Sequence, residues 1–231
     1  MMSRGLWLIF VCVMLVAGLH WLQKSLVELK HDESLPQIQG VVLSTPKLLP
    51  QVDLVDHENN LFTQENFNNH WAIIAYGYTH CPDVCPLLLA TLADVEDKAA
   101  KQLSKVKLTF YFYTVDPKRD TTARLKQYVP YFSDSFVGLK ALTEKDKLTL
   151  EQALVIRVSI TPEYTKVDGA VNDKSYQVSH SQSLFLINPR GELQAVFTPV
   201  RRGNEFLPFD ANTLYEDFIS VLRFYIGVKT R

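Results

Sequence analysis

The chain has 231 residues, enough for one well-filled domain plus an accessory segment and too few for two large domains. Its composition, 47% hydrophobic and 21% charged, is that of an ordinary globular protein. A formal net charge of -1, without a basic run or interleaved aromatic and basic residues, excludes nucleic acid as a natural partner.

In chain order, Gly5 to Leu22 comes first and is apolar except for His20. Roughly 18 apolar residues just reach across a bilayer, and the same stretch also reads as the core of a cleaved signal peptide. Trp7 and Trp21 near its ends, and no clear cleavage site, favour the span. Cys12 falls inside it, leaving Cys81 and Cys85 as the cysteines of everything that follows. One cysteine pair with no stray thiol suits an oxidising compartment. The expectation is therefore a single-pass anchor (residues 1–24) in an inner membrane, N-terminus inside, with the remainder extracytoplasmic (periplasmic). Arg4 agrees with that orientation, whereas Lys24 and Lys30 oppose it.

Residues 25–50, broken by Pro36, Pro46 and Pro50, read as a tether with a short strand at Val41–Leu43. The folded domain is expected over residues 51–231. It opens with a hairpin of Val52–Val55 and Leu61–Phe62, followed by a buried strand from Trp71 to Tyr76. A turn carrying Cys81 and Cys85 leads to a helix that Pro86 is suited to start and that runs to about Leu103. Val106–Val115 reads as a central strand, and Thr121 or Thr122 caps a helix reaching Tyr128. A short strand at Phe136–Leu139 and a helix capped at Thr143 follow. Residues 159–175 read as a loop or flap. Gln177–Ile187 and Glu192–Phe197 are read as two strands joined by the turn Asn188-Pro189-Arg190-Gly191, with a last amphipathic helix capped at Asp210 or Asn212. This order predicts an α/β fold, a central mixed sheet flanked by helices.

The chemistry concentrates in Cys81-Pro82-Asp83-Val84-Cys85. Aligned peptide dipoles at a helix N-terminus favour a thiolate, and the second cysteine is placed there. In a helical segment residues i and i+4 stand about 5–6 Å apart at Cβ, so the pair can form a structural disulfide bond, perform thiol redox chemistry or share a metal. Thiolates select soft ions, Cu(I) above all and also zinc. Met1, Met2 and Met14 all precede the domain, so histidine must supply any third ligand. His57 and His70 lie in polar loops where solvation is the default, and His80 should project away from the cysteines in an extended segment. His180 begins the strand after the flap, and it reads either as a structural histidine or as the third ligand. Asp116 ends a central strand at the sheet edge where the cysteine turn also lies, so it is a turn-former that can support a ligand or act as an outer one.

GYTHCPDVCP, TVDPKRDT and VSHSQSLFLINPRGEL, in this order, resemble the SCO/SenC family of membrane-anchored copper proteins over most of residues 40–228. The resemblance implies a thioredoxin-like fold and an extracytoplasmic domain. It also implies delivery of copper to the dinuclear centre of cytochrome c oxidase subunit II, or reduction of that subunit's cysteines. By the same resemblance Cys81, Cys85 and His180 are copper ligands, and Asp116 is an acidic residue beside them. Ser179 stands where the family usually has aspartate. Two functions are thus expected, a copper metallochaperone or a thiol-disulfide oxidoreductase, with a peroxidase of the same fold a more distant third.

Overall fold

The computed structural model describes residues 13–21, 35–162, 165–167, 170–172, 176–203 and 205–229. The chain divides into two compact units, Met1–Leu35 and Pro36–Arg231. In the first, residues 13–21 are helical, and the rest of the expected anchor lies outside the described residues. Among the described residues no helix is long and apolar enough to cross a membrane.

The second unit is built on an eight-stranded mixed sheet. Its strands are β1 (Gly40–Leu48), β2 (Leu54–Asp56), β3 (Leu61–Phe62), β4 (Trp71–Gly77), β5 (Leu108–Thr114), β6 (Val137–Ala141), β11 (Leu184–Ile187) and β12 (Glu192–Phe197). They lie in the order β1-β12-β11-β4-β5-β6-β2-β3. The central pairs β4/β5 and β5/β6 are parallel and the others are antiparallel. Every residue of β4 is buried, as a strand covered on both faces requires. On one face Ala72, Ile74, Tyr111 and Tyr113 meet Leu150 and the adjoining Leu154 at the end of helix α3 (Glu144–Ala153). On the other, Trp71 sets its ring edge-on against Phe218 of α4 (Ala211–Lys229), and Phe112 meets Tyr128 of α2 (Thr122–Tyr128). Helix α1 (Val84–Gln102) buries Leu88, Leu89, Leu92 and Val95.

The helix starts follow from the expected caps. Thr121 accepts a bond from the Arg124 N–H, Thr143 from Asp146 and Asp210 from Thr213. Three expectations change. Residues 40–48, read as mostly tether, form the edge strand, because Gly40–Val42 and Lys47–Leu48 find partners on β12 despite Pro46 between them. The folded unit thus begins at Pro36 rather than at residue 51. Residues 159–175 are not simply a loop: β7 (Val158–Pro162) pairs antiparallel with β10 (Tyr176–His180), and β8 (Thr165–Val167) with β9 (Ala170–Asn172). The single strand expected over Gln177–Ile187 is broken at Ser181–Ser183. Among the described residues β10 pairs with β7 in a separate ribbon, while β11 enters the main sheet. A short hairpin, β13 (Arg201–Arg202) with β14 (Glu205–Phe206), precedes α4.

Candidate metal and thiol centre

The site lies beyond the carboxyl ends of the parallel strands β4 and β5, where open sheets place their sites. β4 ends at Gly77, and the turn that follows turns back sharply onto the strand. A Cβ on Gly77 would stand 2.6 Å from the Cys85 sulfur, so only glycine allows that sulfur so close to the strand. Helix α1 begins at Val84, two residues earlier than Pro86 alone suggested, and proline still fits because the first-turn N–H groups have no helical partner.

That shift in the helix start reverses the roles expected of the two thiols. Cys85 lies inside the first turn and is 2% exposed. Its thiol is pushed up, first by its hydrogen bond with Cys81 and then by burial. Cys81, partly exposed, receives the free N–H groups instead. Its sulfur accepts the Cys85 N–H at 3.4 Å. The Cys85 thiol, followed by the N–H groups of Cys85, Asp83 and Val84, lowers the Cys81 pKa to about 5 despite partial burial. Asp83 at the N-cap makes no side-chain cap bond, so the Cys81 sulfur takes that part. The helix N-terminus therefore activates the first cysteine, not the second. The two are free thiols, not a disulfide bond.

His180, the last residue of β10, brings its Nε2 to 3.8 Å from the Cys85 sulfur across 95 residues of sequence. Its Nδ1 donates to the Ser181 carbonyl at 2.7 Å, which leaves Nε2 as the lone-pair nitrogen aimed at the sulfur. Tyr76 and Tyr78 flank the ring at centroid distances of 5.3 and 6.1 Å, and the Tyr76 hydroxyl bonds the Ser181 hydroxyl. Among the described residues no three His, Cys, Asp or Glu side chains are drawn into a closed metal cage. What the fold assembles is a thiol–imidazole contact with a second, activated sulfur one helical turn away.

Asp116 is buried at 4% exposure. It pairs with Arg119 and accepts the Tyr176 hydroxyl at 2.6 Å, so it serves the strand that carries His180. His57 and His70, expected to be solvated, are not. His57 Nδ1 accepts the Gly138 N–H at 2.8 Å. His70 is buried between the Asn68 carbonyl and the Tyr111 hydroxyl, each at 3.0 Å, and burial lowers its pKa. His80 is half-exposed, with its Nδ1 3.6 Å from an Asp120 carboxylate oxygen.

Asp120 was not singled out by sequence reasoning, yet it fastens the cysteine turn. Fully buried, it accepts the Thr79 N–H at 2.9 Å, the Thr79 hydroxyl at 2.7 Å and the Thr114 hydroxyl at 2.6 Å. Its signal was present as a second aspartate four residues after Asp116, at the same strand end.

The SCO1/SenC family profile matches residues 43–208. The chain belongs to the SCO1/SenC family. A Stutzerimonas stutzeri protein named for copper binding is 31% identical over 160 residues, 69% of this chain and 74% of that protein. The human mitochondrial SCO1 homologue is 30% identical over 191 residues, 83% of this chain but 59% of the relative, so the chain spans well under two thirds of it. Among SCO1/SenC structures, copper-bound Arabidopsis thaliana ScoI superposes with a TM-score of 0.64 at 25% identity, covering 76% of this chain and 98% of that one. Copper-bound yeast Sco1 gives 0.63 at 27% identity, covering 77% and 90%. The mixed α/β fold with flanking helices is that of these thioredoxin-like proteins.

Proposed function

We propose that this protein is a membrane-anchored copper metallochaperone whose extracytoplasmic domain carries copper on Cys81, Cys85 and His180. The observation that carries the reading is the Cys85–His180 contact, with the histidine held in the tautomer that presents a lone pair. Two thiolates and an imidazole are a soft donor set suited to copper. The partly exposed Cys81 offers a thiolate from which copper passes to an incoming thiolate by ligand exchange. The recipient we infer is the dinuclear copper centre of cytochrome c oxidase subunit II or a related extracytoplasmic copper protein, consistent with the copper-bound state of the SCO1/SenC relatives. Residues 1–24 act as the inner-membrane anchor, N-terminus inside. Competition titration of the reduced protein against a chromophoric Cu(I) chelator tests the ligand set. His180→Ala is expected to weaken binding about 10-fold or more, a loss of about 1.4 kcal/mol. Unchanged affinity would remove His180 from the site.

A second reading is favoured by the split between the thiols, an activated outer sulfur and a buried inner one. In thiol-disulfide exchange the Cys81 thiolate attacks a partner's disulfide and expels one partner thiolate. Cys85 then attacks the mixed disulfide, leaving Cys81–Cys85 oxidised and the partner reduced to its dithiol. This route needs only the sulfurs, so His180→Ala would not slow the exchange with a disulfide-bonded peptide.

A further inference from the structure

His180 is the last residue of β10, which among the described residues pairs with β7 and with no strand of the main sheet, and the chain enters that sheet at Leu184. Contacts other than pairing with the main sheet therefore help to set its distance from Cys85. The ring's own bond, from Nδ1 to the Ser181 carbonyl, orients the imidazole, and Ser181 is in turn held by the Tyr76 hydroxyl of β4. A second anchorage lies at the other end of the strand, on Tyr176. The Arg119 Nη1 donates to the Tyr176 carbonyl at 2.9 Å, and its guanidinium lies 3.7 Å from the centroid of the Tyr176 ring. Its Nε pairs with Asp116, which in turn accepts the Tyr176 hydroxyl. The same guanidinium approaches the Tyr78 ring to 5.5 Å, and Tyr78 flanks His180.

We propose that Arg119 is a positioning residue that sets where His180 stands relative to Cys85. Arg119 follows the end of β5, a strand of the rigid sheet, and it grips the backbone, ring and, through Asp116, the hydroxyl of the first residue of β10. From Tyr176 to His180 the strand runs about 13 Å as one extended segment stiffened by pairing with β7. Displacing its base therefore displaces the histidine. Arginine is required rather than any cation, since one planar fork makes the carboxylate pair, the carbonyl bond and the ring stack at once. The bearing on metal affinity rests on the copper reading above; the bearing on Cys85 does not.

The test uses the full reduced chain, first metal-free. Alkylation of Cys85 by an uncharged maleimide, followed by mass spectrometry, reports how closely His180 covers the sulfur. Arg119→Gln and Arg119→Lys are each expected to raise the Cys85 rate about 10-fold, as His180→Ala does. The double variant Arg119→Gln/His180→Ala should be no faster than the faster single variant. Thermal unfolding of each variant identifies any that fails to fold, and Arg119→Lys retains the charge for that case. A Cys85 rate unchanged in the folded Arg119 variants, or effects of Arg119 and His180 that multiply in full, would overturn the proposal. Cu(I) affinity is then measured by chelator competition. Arg119→Gln should weaken it in the wild-type background and leave it unchanged in the His180→Ala background. If His180→Ala itself leaves copper affinity unchanged, the copper reading fails while the alkylation result still decides the role of Arg119.

Discussion

Replacing Asp120 by alanine removes the acceptor of three hydrogen bonds in a place no water reaches, since the residue is 0% exposed. The Thr79 N–H cannot turn elsewhere, and a buried donor left without a partner costs about 1–3 kcal/mol. The hydroxyls of Thr79 and Thr114 can rotate, and each loses about 1 kcal/mol. The expected loss is about 3–5 kcal/mol, a large part of the roughly 5–15 kcal/mol that stabilises a domain. Asp120→Asn keeps the shape and one acceptor oxygen, and it should cost about 1–2 kcal/mol. Urea unfolding of the reduced, metal-free protein, followed by circular dichroism, measures both. An alanine variant that loses less than about 1 kcal/mol, or an asparagine variant as damaging as alanine, would refute the assignment of Asp120 as the fastener of the cysteine turn.

Gly77→Ala forces a methyl group to 2.6 Å from the Cys85 sulfur and 3.1 Å from the Phe112 ring. It should destabilise the fold by about 1–3 kcal/mol and weaken Cu(I) binding, read by thermal unfolding and chelator competition. With iodoacetamide at neutral pH, Cys81 should be modified well before Cys85, with a rate that rises through about pH 5 and then levels as the thiolate fraction saturates. Equal rates at the two sulfurs, read by peptide mass spectrometry, would contradict the split. Burial holds the His70 pKa below its ordinary 6.5, so the stability linked to its neutral form is complete above that value and is lost as pH falls through the lowered one. Acid titration of stability should therefore show a loss beginning near pH 6.5 that His70→Gln lacks.

Much of the domain was legible because its signals are short in range. Thr121 and Thr143 announced their helices through hydrogen bonds three residues long, and the Asn188–Gly191 turn needed only Gly191 at φ 73°. The β7–β10 ribbon was not legible. Val158–Pro162 is a strand because Tyr176–His180 lies beside it, and neither segment carries enough periodicity to declare that alone. The same holds for Gly40–Leu48, whose prolines resembled a tether until β12 supplied a partner. The break after His180 was missed because Ser181–Ser183 look no different from strand residues in an unpartnered chain.

The sequence by itself determined the cysteine turn, its place between a buried strand and a helix, the lack of methionine ligands, and His180 as a candidate partner. These depend on residue identity and spacing within one element. Tertiary structure decided which sulfur is the thiolate, because that follows from the helix starting at Val84 and aiming its unpaired N–H groups at Cys81. It also brought His180 to Cys85, turned His57 and His70 inward, and made Asp116, Arg119 and Asp120 the supports of the site. Each of these is a contact between elements far apart in sequence, and only packing brings such elements within hydrogen-bonding reach.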